Sequence, residues 1–514
     1  MPRTRHDIVL ATLNARYIHT AFGLRYLYAN LGALRDRAVI AEFTINQQPA
    51  DIVEQLLAHT PRIVALGVYI WNVAETEAVV TLLRTVAPEV VIVVGGPEVS
   101  HPPDLPALAS RVDHIVTGPG EHTLPELCRQ ILEGNAPARR IVPGLPVPLE
   151  QLELPYRDYT DEDIRHRIVY VEASRGCPFK CEFCLSSLDK TAKPFPLPRF
   201  LDEMARLLER GARHFKFIDR TFNLRVDSSV AILTFFLQRL SDDLYLHFEV
   251  VPDNLPDPLK AVLQRFPPGV LQFEVGVQSF DPVIQQRINR RQNNDRTRAN
   301  LRWLRRHTGA HIHADLIFGL PGDTLENFAA SFDELVALGP QEIQLGILKR
   351  LRGAPLERHT EPFGMRYNPL PPYNVLATAD LDFATIQRMN RFARHWDLIG
   401  NSGHFHHTLP LLLETAPFHR FLRLSDTLYE TTRATTGIAL RRLFLLLAQV
   451  VPEALEIDTT ELTDALHRDW NASPLKGEPP FRSAAETTLA HNNPLSANRR
   501  QRRHLPATGK ERHS

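Results

Sequence analysis

Short β-branched apolar runs alternate with segments of helical period along most of the chain, and no other feature constrains the fold as tightly. The runs fall at 7–13, 38–45, 62–70, 90–95 and 114–117, with helical segments such as Gly23–Arg35, Ala50–His59 and Ala74–Val86 between them. Strand alternating with helix makes a parallel sheet covered on both faces. Five such units within residues 1–140 predict one doubly wound α/β domain, with its ligand off the carboxyl ends of the strands. Residues 141–165 are rich in proline and charge and read as a linker. The alternation then resumes at 167–173, 213–219, 244–251, 270–277, 311–318 and 342–348. These six units within 166–358 predict a partial or full β/α barrel, with a second open sheet as the competing reading. From 359 to 478 helical period dominates, as in Asp380–Trp396 and Leu411–Leu428, and an α-rich domain is expected. Residues 479–514 lack apolar period and are expected to be disordered.

Composition narrows the function classes. Hydrophobic residues make up 43% and charged residues 23%, as in an ordinary globular chain. Lys and Arg number 59, as do Asp and Glu, so no net field draws the chain to nucleic acid or to an anionic membrane. The start, MPRTRHDIVLATLN, lacks the anatomy of a secretory signal. The apolar run at 443–451 falls well short of the ~20 residues that span a bilayer. It reads as a buried helix, and a cytoplasmic location is expected. The basic run at Arg499, Arg500, Arg502 and Arg503 reads as part of a solvated tail.

The chain has four cysteines, and three of them lie in SRGCPFKCEFC at 174–184, directly after the first strand of the second set. Cys177, Cys181 and Cys184 have the spacing C-x3-C-x2-C. A disulfide framework is excluded, and clustered thiols read as a metal or cluster site in a reducing compartment. Three thiolates suit an iron–sulfur cube that leaves one iron without a protein ligand. A structural zinc site closes with four ligands, so a site completed by a histidine stays open as an alternative. Cys128, in LPELCRQIL, reads as a core thiol.

The cysteine run, with Phe183 before its last cysteine at the opening of a β/α barrel, resembles the signature of the radical S-adenosylmethionine superfamily. That resemblance implies a [4Fe–4S] cluster whose open iron takes the amino and carboxylate groups of S-adenosylmethionine. One electron then cleaves the sulfonium to give a 5′-deoxyadenosyl radical. Three further stretches, HFEVVPDNL (247–255), EVGVQSFDPVIQQRINRRQ (274–292) and ADLIFGLPGDT (314–324), resemble the oxygen-independent coproporphyrinogen oxidases. Matched motif by motif, the residues that hold the ribose and the methionine carboxylate fall on Glu249, Gln278, Arg290 and Asp315. Asp219, in FKFIDRTFNL, stands where many relatives have a glycine-rich turn.

The N-terminal domain, of flavodoxin-like strand order, is similar to the cobalamin-binding domains found ahead of some radical barrels. GGPEVS (95–100) and TGPGEHTLPEL (117–127) look like the loops after its fourth and fifth strands. The resemblance places Gly95, Gly96, Gly118, Gly120 and Glu121 on a bound cobalamin. LNARYIH (13–19) and VYIWN (68–72) are expected to face the same crevice. The Asp-x-His-x-x-Gly pattern that supplies a histidine to cobalt in many cobalamin proteins is absent, so no protein histidine is expected on the metal. The α-rich end resembles a C-terminal domain of unknown function found in this class. His404, His406 and His407 read as surface histidines. The implied activity is reductive cleavage of S-adenosylmethionine, with methyl transfer to carbon or a radical rearrangement or oxidation of an unidentified small-molecule substrate. An electron donor such as flavodoxin or ferredoxin is expected as partner. A methylthiotransferase is disfavoured, because a second cluster needs three more cysteines. A non-catalytic corrinoid- or cluster-binding sensor or carrier is the alternative.

Overall fold

The computed structural model describes residues 5–481. The expected tail beyond 481, with its basic run, lies outside them. In chain order the N-terminal elements are β1 (Ile8–Asn14), α1 (Phe22–Ala29), β2 (Ala38–Thr44), α2 (Pro49–Ala58), β3 (Ile63–Gly67), α3 (Val73–Val86), β4 (Val91–Gly95), β5 (His114–Thr117), α4 (Thr123–Leu132) and β6 (Ile141–Pro143). Their strands form one parallel sheet in the order β2-β1-β3-β4-β5-β6. All seven residues of β1 are buried. This follows from its central place, with one apolar cluster packed on each face of the sheet. The stretch expected to be linker opens with β6, a sixth strand. It is only three residues long and carries Pro143, so the sequence hides it.

The linker then forms α5 (Asp161–His166), capped by a reciprocal pair in which Asp163 N donates to the Thr160 hydroxyl and Thr160 N to the Asp163 carboxylate. After it come β7 (Val169–Val171), β8 (Ser174–Arg175), β9 (Lys193–Pro194), α6 (Leu197–Glu209), β10 (His214–Phe217), α7 (Val226–Leu237), β11 (Tyr245–Val250), α8 (Asp257–Leu263), β12 (Leu271–Gln278), α9 (Pro282–Arg287), α10 (Asn294–His307), β13 (His311–Phe318), α11 (Leu325–Leu338) and β14 (Glu342–Ile347). A parallel sheet of six strands runs β14-β13-β12-β11-β10-β7, with no pairing between β14 and β7. It is therefore a partial barrel. In β12 and β13 every second residue is buried. Phe273, Val275, Ile312 and Ala314 pack outward under the helices. The alternate positions turn inward and are polar.

The rest forms a hairpin, β15 (Arg366–Tyr367) with β16 (Val375–Ala377), and the helices α12 (Phe383–Ile399), α13 (Leu409–Leu413), α14 (Pro417–Thr432), α15 (Leu440–Leu455) and α16 (Thr459–Ala472). The single helix expected at Leu411–Leu428 is two. Pro417 starts α14 and excludes helical backbone from the residue before it, Ala416, which has φ +51°. These helices pack on α11 through Phe332, Phe392, Trp396, Phe418 and Phe421. Asn401 caps the open edge of β14: its Oδ1 accepts from Ile343 N at 2.9 Å and its Nδ2 donates to Ile343 O at 3.0 Å. Trp396 Nε1 donates to the same carbonyl at 2.9 Å.

The N-terminal domain meets the other edge of the barrel sheet. Ile168 N donates to Ile18 O, and the Thr20 hydroxyl to Ile168 O. Beneath this seam Arg25 and Arg167 each pair with both Glu42 and Asp163 at 2.8–2.9 Å. The two cations and two anions neutralise one another in a nearly buried quartet. A third seam joins Arg352 to Glu98 at 2.8 Å and Arg350 to Asp104 at 3.1 Å. Among the described residues no helix is long and apolar enough to cross a membrane.

Candidate active site between two domains

Two cavities open near the carboxyl ends of the strands. The smaller, of about 260 Å3, is lined by Cys177, Cys181 and Cys184 together with Arg220, Glu249, Glu274, Gln278, Arg290 and Asp315. All seven sequence-selected residues of the barrel thus face one space. Gln278 ends β12 with φ +69°, an unusual backbone for a side chain of this kind. Its amide folds back over Gly276, where a Cβ would stand 2.6 Å from Gln278 Nε2 and push the amide aside. The Gln278 Oε1 atom is buried and accepts no hydrogen bond, and Asp315 Oδ1 faces only the His313 imidazole, at 3.3 Å. Such acceptors fit the hydroxyl donors of a ribose.

Arg290 and Arg220 take different partners. Arg290 donates to Gly276 O and, at 3.0 Å, to Gln292 Oε1, and its Nη1 lies 3.6 Å from Cys181 Sγ. Arg220, not singled out from the sequence, donates to both oxygens of Glu249 at 3.0 and 3.1 Å. Burial pushes the Glu249 carboxyl up, and Arg220 opposes that. Burial likewise raises the Cys181 thiol, with Arg290 pulling it back. Asp219 stands behind the cysteine loop, where it accepts from Ala173 N at 2.9 Å and the Ser174 hydroxyl at 2.6 Å. Burial lifts it to about 7. It anchors the chain ahead of the cysteines.

Below the cavity the inner face of the barrel carries a row of titratable groups. Glu274 Oε2 is 3.0 Å from His247 Nε2 and 3.4 Å from Lys216 Nζ. His313 lies 3.1 Å from Glu342 and 3.3 Å from Asp315. Burial would lower the His313 imidazole, yet its bonds to Asp315 and Glu342 hold it at about 10. The signal was present in HFKF, HFEV and HIHAD, where polar residues occupy every second position. What the sequence lacked was the cross-strand register that pairs them.

The larger cavity, of about 650 Å3, opens at the strand ends of the N-terminal sheet. Gly95, Gly96, Gly118, Gly120 and Glu121 all line it or its rim, as do Tyr69 and Trp71, stacked 4.4 Å apart. Gly96 has φ +109°, and a Cβ there would meet Val68 O at 2.5 Å. Tyr170, Glu172, Arg175 and Ile218 of the barrel complete the wall. Glu121 is not a free acceptor: it pairs with Arg175 at 2.6 Å. His19 Nδ1 lies 2.7 Å from the Tyr170 hydroxyl. Cys128 is fully buried in α4, where its thiol is pushed up to about 12. Among the described residues no three His, Cys, Asp or Glu side chains converge on a point that suits a single metal ion.

A family model for the B12 binding domain covers residues 8–128, and one for the radical SAM superfamily covers 171–335. A third, a protein family of unknown function (DUF4080), covers 361–506. An uncharacterized methyltransferase of Pyrococcus horikoshii is 25% identical over 338 residues, 60% of this chain and 71% of that protein. The oxygen-independent coproporphyrinogen III oxidase of Cereibacter sphaeroides is 30% identical over 106 residues, 20% of this chain and 23% of that enzyme. In fold, the chain is similar to the radical S-adenosylmethionine methyltransferase TsrM of Kitasatospora setae, solved with cobalamin and a [4Fe-4S] cluster. The TM-score is 0.59 at 18% identity, over 91% of this chain and 99% of that one.

Proposed function

We propose that this chain, which matches the B12 binding domain over residues 8–128 and the radical SAM superfamily over 171–335, reductively cleaves S-adenosylmethionine and uses cobalamin to modify a small molecule. Methyl transfer to carbon is the favoured outcome, and a radical rearrangement or oxidation is the other. The observation that carries this reading is one chain segment that lines both cavities, Glu172 and Arg175 the larger and Cys177, Cys181 and Cys184 the smaller. The wall of the larger one is built from both domains, and the smaller one holds the three cysteines.

Cys177, Cys181 and Cys184 would hold the cluster. Glu249, Gln278 and Asp315 would accept from the ribose, and Arg290 would pair with the methionine carboxylate. Gly96 would let the backbone approach a corrin, and the apolar wall would keep water from it. When bound, the cluster supplies one electron for cleaving the sulfonium and the corrinoid serves as a methyl carrier. The chain's own part is to orient and to desolvate. Arg220 holds and aims Glu249, whose carboxyl oxygens have lone pairs enough for the arginine and a hydroxyl together. Glu274, which lines the cysteine cavity and is paired beneath it with Lys216 and His247, would hold the polar part of a substrate.

The test uses full-length protein, reconstituted anaerobically with iron and sulfide, then given S-adenosylmethionine and dithionite. 5′-Deoxyadenosine and methionine are the expected products, and Ala at Cys177, Cys181 or Cys184 should abolish both cluster and products. Cys128→Ala should leave iron content unchanged. Full iron and sulfide loading in Cys181→Ala would sink the ligand assignment. Repeated binding without turnover would favour a sensor or carrier.

A further inference from the structure

We infer that Arg175 couples the two cavities, binding the occupant of the larger one and positioning the cysteine loop of the smaller. Its guanidinium reaches in two directions. Nη1 donates to Glu121 Oε1 at 2.6 Å, across the domain boundary, while Nη2 and Nε donate to Glu172 Oε1 at 2.6 and 3.2 Å. The Tyr26 and Phe195 rings flank it, with centroids at 4.9 and 5.8 Å. A guanidinium has five N–H donors. Three are engaged, so two remain on a side chain that lines the larger cavity. A carbonyl or carboxylate of a bound molecule would meet them there.

The other half of the coupling is covalent. Only Gly176 separates Arg175 from Cys177, and little slack exists between them. Arg175 is paired in register with Lys193 across the β8–β9 ladder. Gly176 has φ +94°, and a Cβ there would stand 2.3 Å from Thr191 O and 2.7 Å from Asp189 Oδ2. Cys177 N donates to Asp189 O at 3.1 Å. A displacement of Arg175 is therefore transmitted to Cys177. On the far side, Glu121 closes the Gly118–Glu121 turn, which itself lines the larger cavity. Whatever settles in that cavity orders Glu121 and Arg175, and whatever orders the cysteine loop pre-sets the same pair. Such coupling is reciprocal by linkage.

This inference rests on the cluster and cobalamin reading above, and the experiment separates the two. Hydroxocobalamin is titrated by visible absorbance into full-length protein, first free of iron and then with the cluster reconstituted. In the wild type, cluster loading should tighten cobalamin binding by about 5–100-fold, the common range for coupled sites. Arg175→Lys keeps the charge but lacks the planar fork that bridges two carboxylates. Glu121→Gln leaves the cysteine loop untouched. In both variants the ratio of the two affinities should fall towards one with iron content preserved. If Arg175→Lys fails to load iron, Glu121→Gln alone decides. A wild-type ratio of one, or an undiminished ratio in Glu121→Gln, overturns the coupling and leaves the cofactor reading standing. No hydroxocobalamin binding in either wild-type state overturns both.

Discussion

At the scale of single residues, His313 makes a measurable prediction. Its ordinary value is 6.5, and Asp315 and Glu342 raise it to about 10 in the fold against the pull of burial. A raised imidazole stabilises the folded state fully below the unfolded value. That contribution shrinks as pH climbs and is gone above about 10. Urea unfolding of His313→Gln should therefore show a loss of about 2 kcal/mol at pH 6, the scale of a hydrogen bond to a charged group. The loss should vanish near pH 10, and a loss independent of pH would refute the assignment. The same neighbourhood shows what a sequence can reveal. Glu249, Gln278, Arg290 and Asp315 could be picked out because each sits in a recognisable stretch, and the fold gathers them around one cavity with the cysteines. Arg220 and Lys216 could not. Their partners, Glu249 and Glu274, lie 29 and 58 residues away, and only strand register brings them together.

At the scale of elements, long periodic segments were legible and short ones were not. The expected strand at 311–318 is β13 to the residue, because polar–apolar alternation opens it and Gly319, with φ +85°, follows its last residue. By contrast β6 is too short to carry a period, and α6 begins at Leu197, ahead of the expected Asp202, because Pro198 reads as a loop residue although it suits a first helical turn. The edge of β14 was equally hidden, since its partner is a side chain rather than a strand. Asn401 imitates strand pairing by serving both the N–H and the C=O of Ile343. In Asn401→Ala the N–H loses its acceptor while Trp396 still serves the carbonyl. The expected cost is about 1–3 kcal/mol, with faster hydrogen exchange at the Ile343 amide. Unchanged protection there would show that the cap contributes nothing.

At the scale of the whole molecule, the domains are joined by structure rather than merely by sequence. His19 belongs to the first domain but is tied to Tyr170 of the second, beside a quartet of buried charges. With no Asp-x-His-x-x-Gly pattern, the imidazole is expected to stay off cobalt. Paramagnetic resonance of the cobalt(II) form should therefore be the same in wild type and His19→Ala. Nitrogen splitting lost in the variant would reverse that conclusion. The seam at Ile18 and Ile168 carries a further consequence. One margin of the barrel sheet is sealed by the first domain and the other by Asn401 and Trp396 of the last. A barrel cut free of both neighbours would bear two raw selvages of unpaired peptide groups, each a template for another chain. Such a fragment should gather into aggregates where the intact protein stays apart, so the flanking domains act as chaperones that the barrel carries with it.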